Sequence, residues 1–153
     1  MRKWLKWIGA VAVLGFAALQ FTNPPRTNPA ITAGHDLMAT NPPPPEVAAL
    51  LRNACYDCHS SETHWPWYSY VAPMSWKVVR DVNDARDTMN FSDWPNDDPH
   101  RARRRWRRIA EAVEANEMPL SKYTFIHRAS RLTAEQRKKL VDWAQQQSET
   151  LDD

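Results

Sequence analysis

The 153-residue chain has only two cysteines, Cys55 and Cys58, and His59 follows the second directly. That spacing constrains the fold more than any other feature. On a helical turn, positions i, i+3 and i+4 share a face, so both thiols and the imidazole can point at one object. A zinc site needs four ligands, and the chain has no second cysteine pair. A thioredoxin-like redox pair expects a βαβ setting, whereas the flanks here read as helices. A plain disulfide across so short a loop would stabilise little. A c-type haem needs this arrangement, because two thiols add to its vinyl groups as thioethers and the neighbouring imidazole ligates iron. Cys55 and Cys58 are thus the expected covalent anchors of one haem c, and His59 the expected proximal iron ligand.

The N-terminus, MRKWLKWIGAVAVLGFAALQF, carries Arg2, Lys3 and Lys6 before an apolar run. This is the pattern of an export signal or a membrane anchor, and it is just long enough to span a bilayer. "AALQF" is a poor cleavage site, so an uncleaved anchor is expected, with the basic start in the cytoplasm and the rest exported. The whole chain has 20 basic and 18 acidic residues, and the anchor takes three of the basic ones. The exported part is then close to neutral, which excludes a domain-wide basic field for nucleic acid.

Between Thr22 and Glu46 lie seven of the twelve prolines. Proline cannot donate a backbone hydrogen bond and fixes φ, so an extended spacer without a packed core is expected there. The expected organisation is an anchor over residues 1–21, a Pro-rich linker over 22–44, one domain over 45–148 and a flexible tail over 149–153. A domain of that size buries a limited share of its surface and benefits from a cofactor in its centre.

The domain reads as all-α. Pro45 suits a helix start, and Val47, Leu50 and Leu51 share a face leading into Cys55. A second helix is expected over residues 75–89, capped by Ser75, with Val78, Val82, Ala85 and Met89 as its stripe. A third is expected to start at Asp98 and Pro99, with Trp106, Ile109, Ala110 and Val113 apolar. Thr133 and Gln136 fit a capping box before the last helix, which carries Leu140, Trp143 and Ala144. Only Gly34 lies outside the N-terminal segment, which excludes a Gly-rich phosphate loop.

"NPPPPEVAALLRNACYDCHSSETHWPWYSYVAPMSW", "NFSDW" and "EMPLSKYTFIHRASRLTAEQRKKLVDWA" resemble the haem-binding domain family of exported bacterial proteins. The likeness runs from Asn41 to Ala144 and includes the Trp-Pro-Trp-Tyr run. It implies a monohaem, cytochrome c-like, mainly helical domain. The Arg-rich stretch from Arg101 to Arg108 departs most from the family pattern.

For the sixth iron ligand, Met118 in "EMPLS" is the first candidate, because Pro119 stiffens its loop. The loop is similar to the distal-ligand loop of class I cytochromes c. Met74, His127 and His64 are the alternatives, although His64 follows His59 too closely to reach the opposite haem face easily. Trp65, Trp67, Tyr68 and Trp76, together with Tyr70, are expected to supply the haem pocket, since large rings give much burial per residue. "RARRRWRR" reads as a solvated helix face or as a docking patch for an acidic partner or lipid surface.

The resulting expectation is a periplasmic electron carrier on the bacterial inner membrane, serving redox partner proteins. It uses no acid–base residue. A haem-based sensor or gas-binding module, or a small haem peroxidase with a labile sixth ligand, are the rival classes, the latter needing His127 or His64 as acid–base group.

Overall fold

The computed structural model describes residues 2–95 and 97–151. Among them every regular element is helical: α1 (Arg2–Leu19), α2 (Leu37–Thr40), α3 (Pro45–Leu51), α4 (Asp57–His59), α5 (Met74–Thr88), α6 (Pro99–Glu114), α7 (Ser121–Ile126) and α8 (Ala134–Glu149). A wide π turn, Arg52–Tyr56, joins α3 to α4, so the chain stays helical from Pro45 to His59. The last helix runs one residue past the expected boundary at 148.

The core forms where three helices bring their apolar stripes together. α6 lies along α8, and α3 closes on α8 from the side. Ala102, Trp106, Ile109, Ala110 and Val113 of α6 are buried, as are Leu140, Val141, Trp143 and Ala144 of α8. Spacings of three and four residues put each set on one face. Trp106 is the pivot, with Trp94 at 4.5 Å and Trp143 edge-on at 4.9 Å between ring centroids. The helix starts follow the sequence. Asp98 caps α6 by accepting from the Arg101 amide, with Pro99 next, and Thr133 with Gln136 forms the capping box of α8.

α1 is apolar and exposed along its length, and the span Lys3–Thr22 is long enough to cross a membrane. The expected Ser75 cap is not seen. Ser75 lies inside α5, fully buried, and its hydroxyl donates to Asn23 Oδ1. The expected stripe of α5 also divides. Val79 and Val82 are buried and Met89 joins the core, while Val78, Val82 and Ala85 line a cavity.

The largest departure concerns the Pro-rich stretch. It is extended over residues 23–32, but it is laid along the domain and tied to it by hydrogen bonds at several residues. Gln20 exchanges hydrogen bonds with the main chain of Ala72, donating at 3.4 Å and accepting at 2.9 Å. Asn23 donates to the Tyr70 carbonyl, Arg26 to that of Ser69, and Asn28 to that of Thr63. Arg86 donates to the Thr27 carbonyl at 2.8 Å and to Asn28 Oδ1 at 2.9 Å. Further on, Leu37 is fully buried in the core and its amide donates to the Phe91 carbonyl. Proline removes backbone donors, so side chains carry the attachment instead. Leu37→Ala is therefore expected to cost about 2–5 kcal/mol in denaturant unfolding, as a core truncation does. A loss under about 0.5 kcal/mol is what a free spacer gives.

Candidate haem site

One cavity of about 370 Å³ runs along α5 and ends against the cysteine–histidine turn. Its volume lies within the ordinary range of cofactor and ligand sites. Met74, Lys77, Val78, Val82, Ala85 and Thr88 form the α5 wall, and Cys58, His59, Tyr68, Met118, Tyr123 and His127 close the other sides.

His59 is held on three sides. Its Nδ1 lies 3.0 Å from the Met89 carbonyl. Its ring stacks on Phe91, with centroids 5.5 Å apart and planes 24° apart. Its own carbonyl accepts from the Phe91 amide. A carbonyl at Nδ1 fixes the proton there and leaves the lone pair on Nε2, the arrangement a metal-binding histidine needs. Burial holds the imidazole pKa below its usual value, against the opposing pull of the Met89 and Ala85 carbonyls. The ring is therefore neutral at pH 7 and able to ligate a metal.

Both cysteines are free thiols. Cys58 lies on the cavity wall, and Cys55 packs against the core from the π turn just before it. Burial, with Cys58 nearby, pushes the Cys55 thiol up to about 12. Burial and then Asp57 and Asp81 push Cys58 up to about 11. Thiols that exchange disulfides are shifted the other way, towards the thiolate. Among the described residues, no three His, Cys, Asp or Glu side chains group as a metal site, so zinc fits as poorly as the cysteine count implied. A neutral imidazole with Nδ1 committed, two protonated thiols on the same turn and an apolar cavity fit a haem.

Met118 is on the cavity wall, partly buried against the core. Its amide donates to the Ala112 carbonyl at 3.0 Å, and Arg137 donates to its carbonyl and to that of Val113. The thioether therefore sits on a pinned loop. The alternatives also border the cavity. Met74 is 42% exposed at one end. His127 accepts or donates at Nε2 to the Tyr68 hydroxyl at 2.6 Å and is stacked by Tyr123 at 4.3 Å. His64 is bound through Nδ1 to Asp57 at 3.1 Å, with its side chain largely in solvent.

Of the five aromatic residues expected at the pocket, Tyr68 lines the cavity and the other four lie off its wall. Trp67 is 78% exposed. Trp76 gives its indole N–H to the Thr22 carbonyl. Trp65 packs beside the Arg86 guanidinium, 5.9 Å from the ring centroid. In the short 3-10 turn Trp67–Tyr70, neighbouring side chains are about 120° apart, so Trp67 points outward where Tyr68 points in.

The groups that orient the site were not visible in spacing or composition. Asn90 to Trp94 form the brace: Phe91 stacks on His59, and Ser92 Oγ accepts from the Ser61 amide. Arg86 donates to the Ser60 carbonyl at 2.7 Å and to Thr63 Oγ1 at 2.8 Å, securing the turn that follows His59. Asp57 accepts from the His64 amide and from the Tyr123 hydroxyl. The only signal for the brace was "NFSDW", one of the stretches carrying the family likeness.

A family model for the haem-binding domain matches residues 14–146 of this chain. The chain belongs to that family. No curated protein matches it, and no solved structure does. Haem binding is thus the family's property, and the match includes the strapped Pro-rich stretch as well as the helical domain. His59→Gly is expected to abolish the low-spin spectrum of the haem-loaded protein, and millimolar imidazole to restore it. An unchanged spectrum in the variant would remove His59 from the iron.

Proposed function

We propose that this chain is an exported bacterial protein of the periplasm, anchored to the inner membrane by α1, that holds one covalent haem c and passes single electrons. The observation that carries this reading is the His59 turn. The continuous helical stretch that ends there carries both free thiols, Cys58 on the wall of a cavity that also takes the pinned Met118 thioether and Cys55 one turn earlier against the core. When bound, a haem supplies a one-electron ferric–ferrous couple whose potential a histidine–methionine pair sets high.

The chain's own residues do the rest. Cys55 and Cys58 tether the group through thioether bonds and His59 ligates from a ring already oriented by Met89 and Phe91. Met118 comes from a loop fixed by Ala112 and Arg137, so little is lost in ordering it. The walls from Val78, Val82 and Ala85 keep water from the centre. No residue transfers a proton in this scheme.

The ferric protein should show a red-region sulfur-to-iron charge-transfer band that disappears in Met118→Ala. Persistence of the band in that variant would eliminate Met118 as ligand. A second reading draws support from His127 and His64 on the cavity border. With a labile sixth ligand, the same site would serve gas sensing or peroxide chemistry. Carbon monoxide separates the two readings: no binding to the ferrous protein accords with electron transfer, and rapid binding favours the rival.

The redox partner we propose is acidic. Arg101, Arg104, Arg105, Arg107 and Arg108 border a groove of about 470 Å³ with Asp87, Thr88 and Glu111, so cations outnumber carboxylates five to two there. Thr88 also lines the haem cavity, so a partner docked there is one side chain from the cavity wall. Clustered charge raises encounter rates steeply at low ionic strength, by about 10-fold or more. Replacing Arg101 and Arg104 with Gln should cut the second-order rate of electron exchange with an acidic carrier by about 10-fold at low salt. It should also flatten the salt dependence. Equal rates and equal salt slopes in both proteins would leave the arginines as a solvated face.

A further inference from the structure

Four large side chains lie exposed around the point where the chain leaves α1. Phe21 is 92% exposed, Trp67 78%, Tyr70 51% and Trp76 39%. Three of them are linked to the exit turn at residues 20–23, and Trp67 adjoins it through Tyr70. Phe21 belongs to it. Trp76 donates its indole N–H to the Thr22 carbonyl. The Tyr70 carbonyl accepts from Asn23. Trp67 and Tyr70 are three residues apart in a 3-10 turn, where positions i and i+3 eclipse, so they share one side. Met74, exposed and beside Pro73, starts the helix that carries Trp76. A cation is present too, with the Arg26 guanidinium 4.1 Å from the Tyr70 ring centroid.

We propose that this face is a membrane-docking surface, seated in the headgroup layer of the membrane that α1 crosses. The proposal rests on the reading of α1 as an anchor. Three physical reasons favour lipid over a protein partner. First, clustered exposed apolar side chains mark an interaction surface. Second, Trp and Tyr are the residues that settle at the membrane–water boundary, apolar body inward and polar tip outward, with basic side chains drawn to anionic headgroups. Third, position leaves little choice. The face surrounds the anchor's exit, and the Gln20–Ala72 and Ser75–Asn23 bonds tie the end of the anchor to the domain.

The seating orients the rest of the molecule. α5 begins at this face with Met74 and ends at Thr88, about 21 Å away at 1.5 Å per residue. The cavity has Met74 at its membrane end and Thr88 at the other. The arginine groove also begins at Thr88, so it stands at the far end of α5 from the anchor's exit.

The test uses the full-length, haem-loaded chain in vesicles of phosphatidylethanolamine and phosphatidylglycerol. A fraction of the phospholipid carries a photoactivatable diazirine at headgroup level, and labelled peptides are mapped by mass spectrometry. Labelling of the N-terminal segment and of the peptide containing residues 67–76 is expected, with residues 101–108 labelled at least several-fold less. A labelled N-terminal segment with an unlabelled 67–76 peptide overturns the docking surface while keeping the anchor. Labelling spread equally over 67–76 and 101–108 overturns it as well. An N-terminal segment without label overturns the anchor reading itself, and the docking surface with it.

Discussion

The hydrogen bond between His59 Nδ1 and the Met89 carbonyl, 3.0 Å long, is the contact on which the site depends. It decides which ring nitrogen carries the proton and therefore which one can reach a metal. A main-chain carbonyl cannot be moved without moving the chain that holds it, and much of the fold is arranged to hold it. Met89 follows the end of α5. Phe91 lies against His59 on one side and Trp94 on the other, and Trp94 leads through Trp106 to Trp143. The packing of α6 against α8 thus sets the position of one imidazole. The Pro-rich strap reinforces the same brace, because Leu37 and His35 bond to the Phe91 and Trp94 main chain.

Several parts of this arrangement were legible in the sequence because they depend on neighbours in the chain. The stripe of Trp106, Ile109, Ala110 and Val113 is periodic, and the caps at Asp98 and Thr133 are local. Cys55, Cys58 and His59 share a turn because of their spacing alone. What was not legible depends on distant pairing. Nothing in "TNPPRTNPAITAGHDLMATNPPPP" says that side chains will replace the missing backbone donors, so it read as a spacer. Asn23, Arg26 and Asn28 find their acceptors some 35 to 47 residues away. The size of Trp67 and Trp76 and their closeness to Cys58 predict a place at the pocket. Their direction is set by a 3-10 turn and by the anchor, neither of which periodicity reveals. Arg86 lies in a helix of ordinary composition, and only the fold brings Ser60, Thr63, Thr27 and Asn28 to it.

The parts divide the labour along α5. At its start the chain is tied to an apolar helix and surrounded by exposed aromatics. Along its length it walls a cavity for the cofactor. At its end it meets a groove of arginines. On the function we propose, membrane attachment, cofactor and partner docking would occupy successive positions along α5, which suits a carrier that must be found by a partner while remaining fixed to a surface.

On the reading proposed above, Cys55, Cys58 and His59 form the attachment turn of one haem. The most direct measurement is the intact mass of the full chain after expression with cytochrome c maturation machinery and denaturation in acid. The wild-type chain should gain the mass of one haem, and no stable adduct should form when Cys55 and Cys58 are both replaced by Ser. A wild-type chain that releases its haem on denaturation, or a double variant that retains it, would contradict the claim.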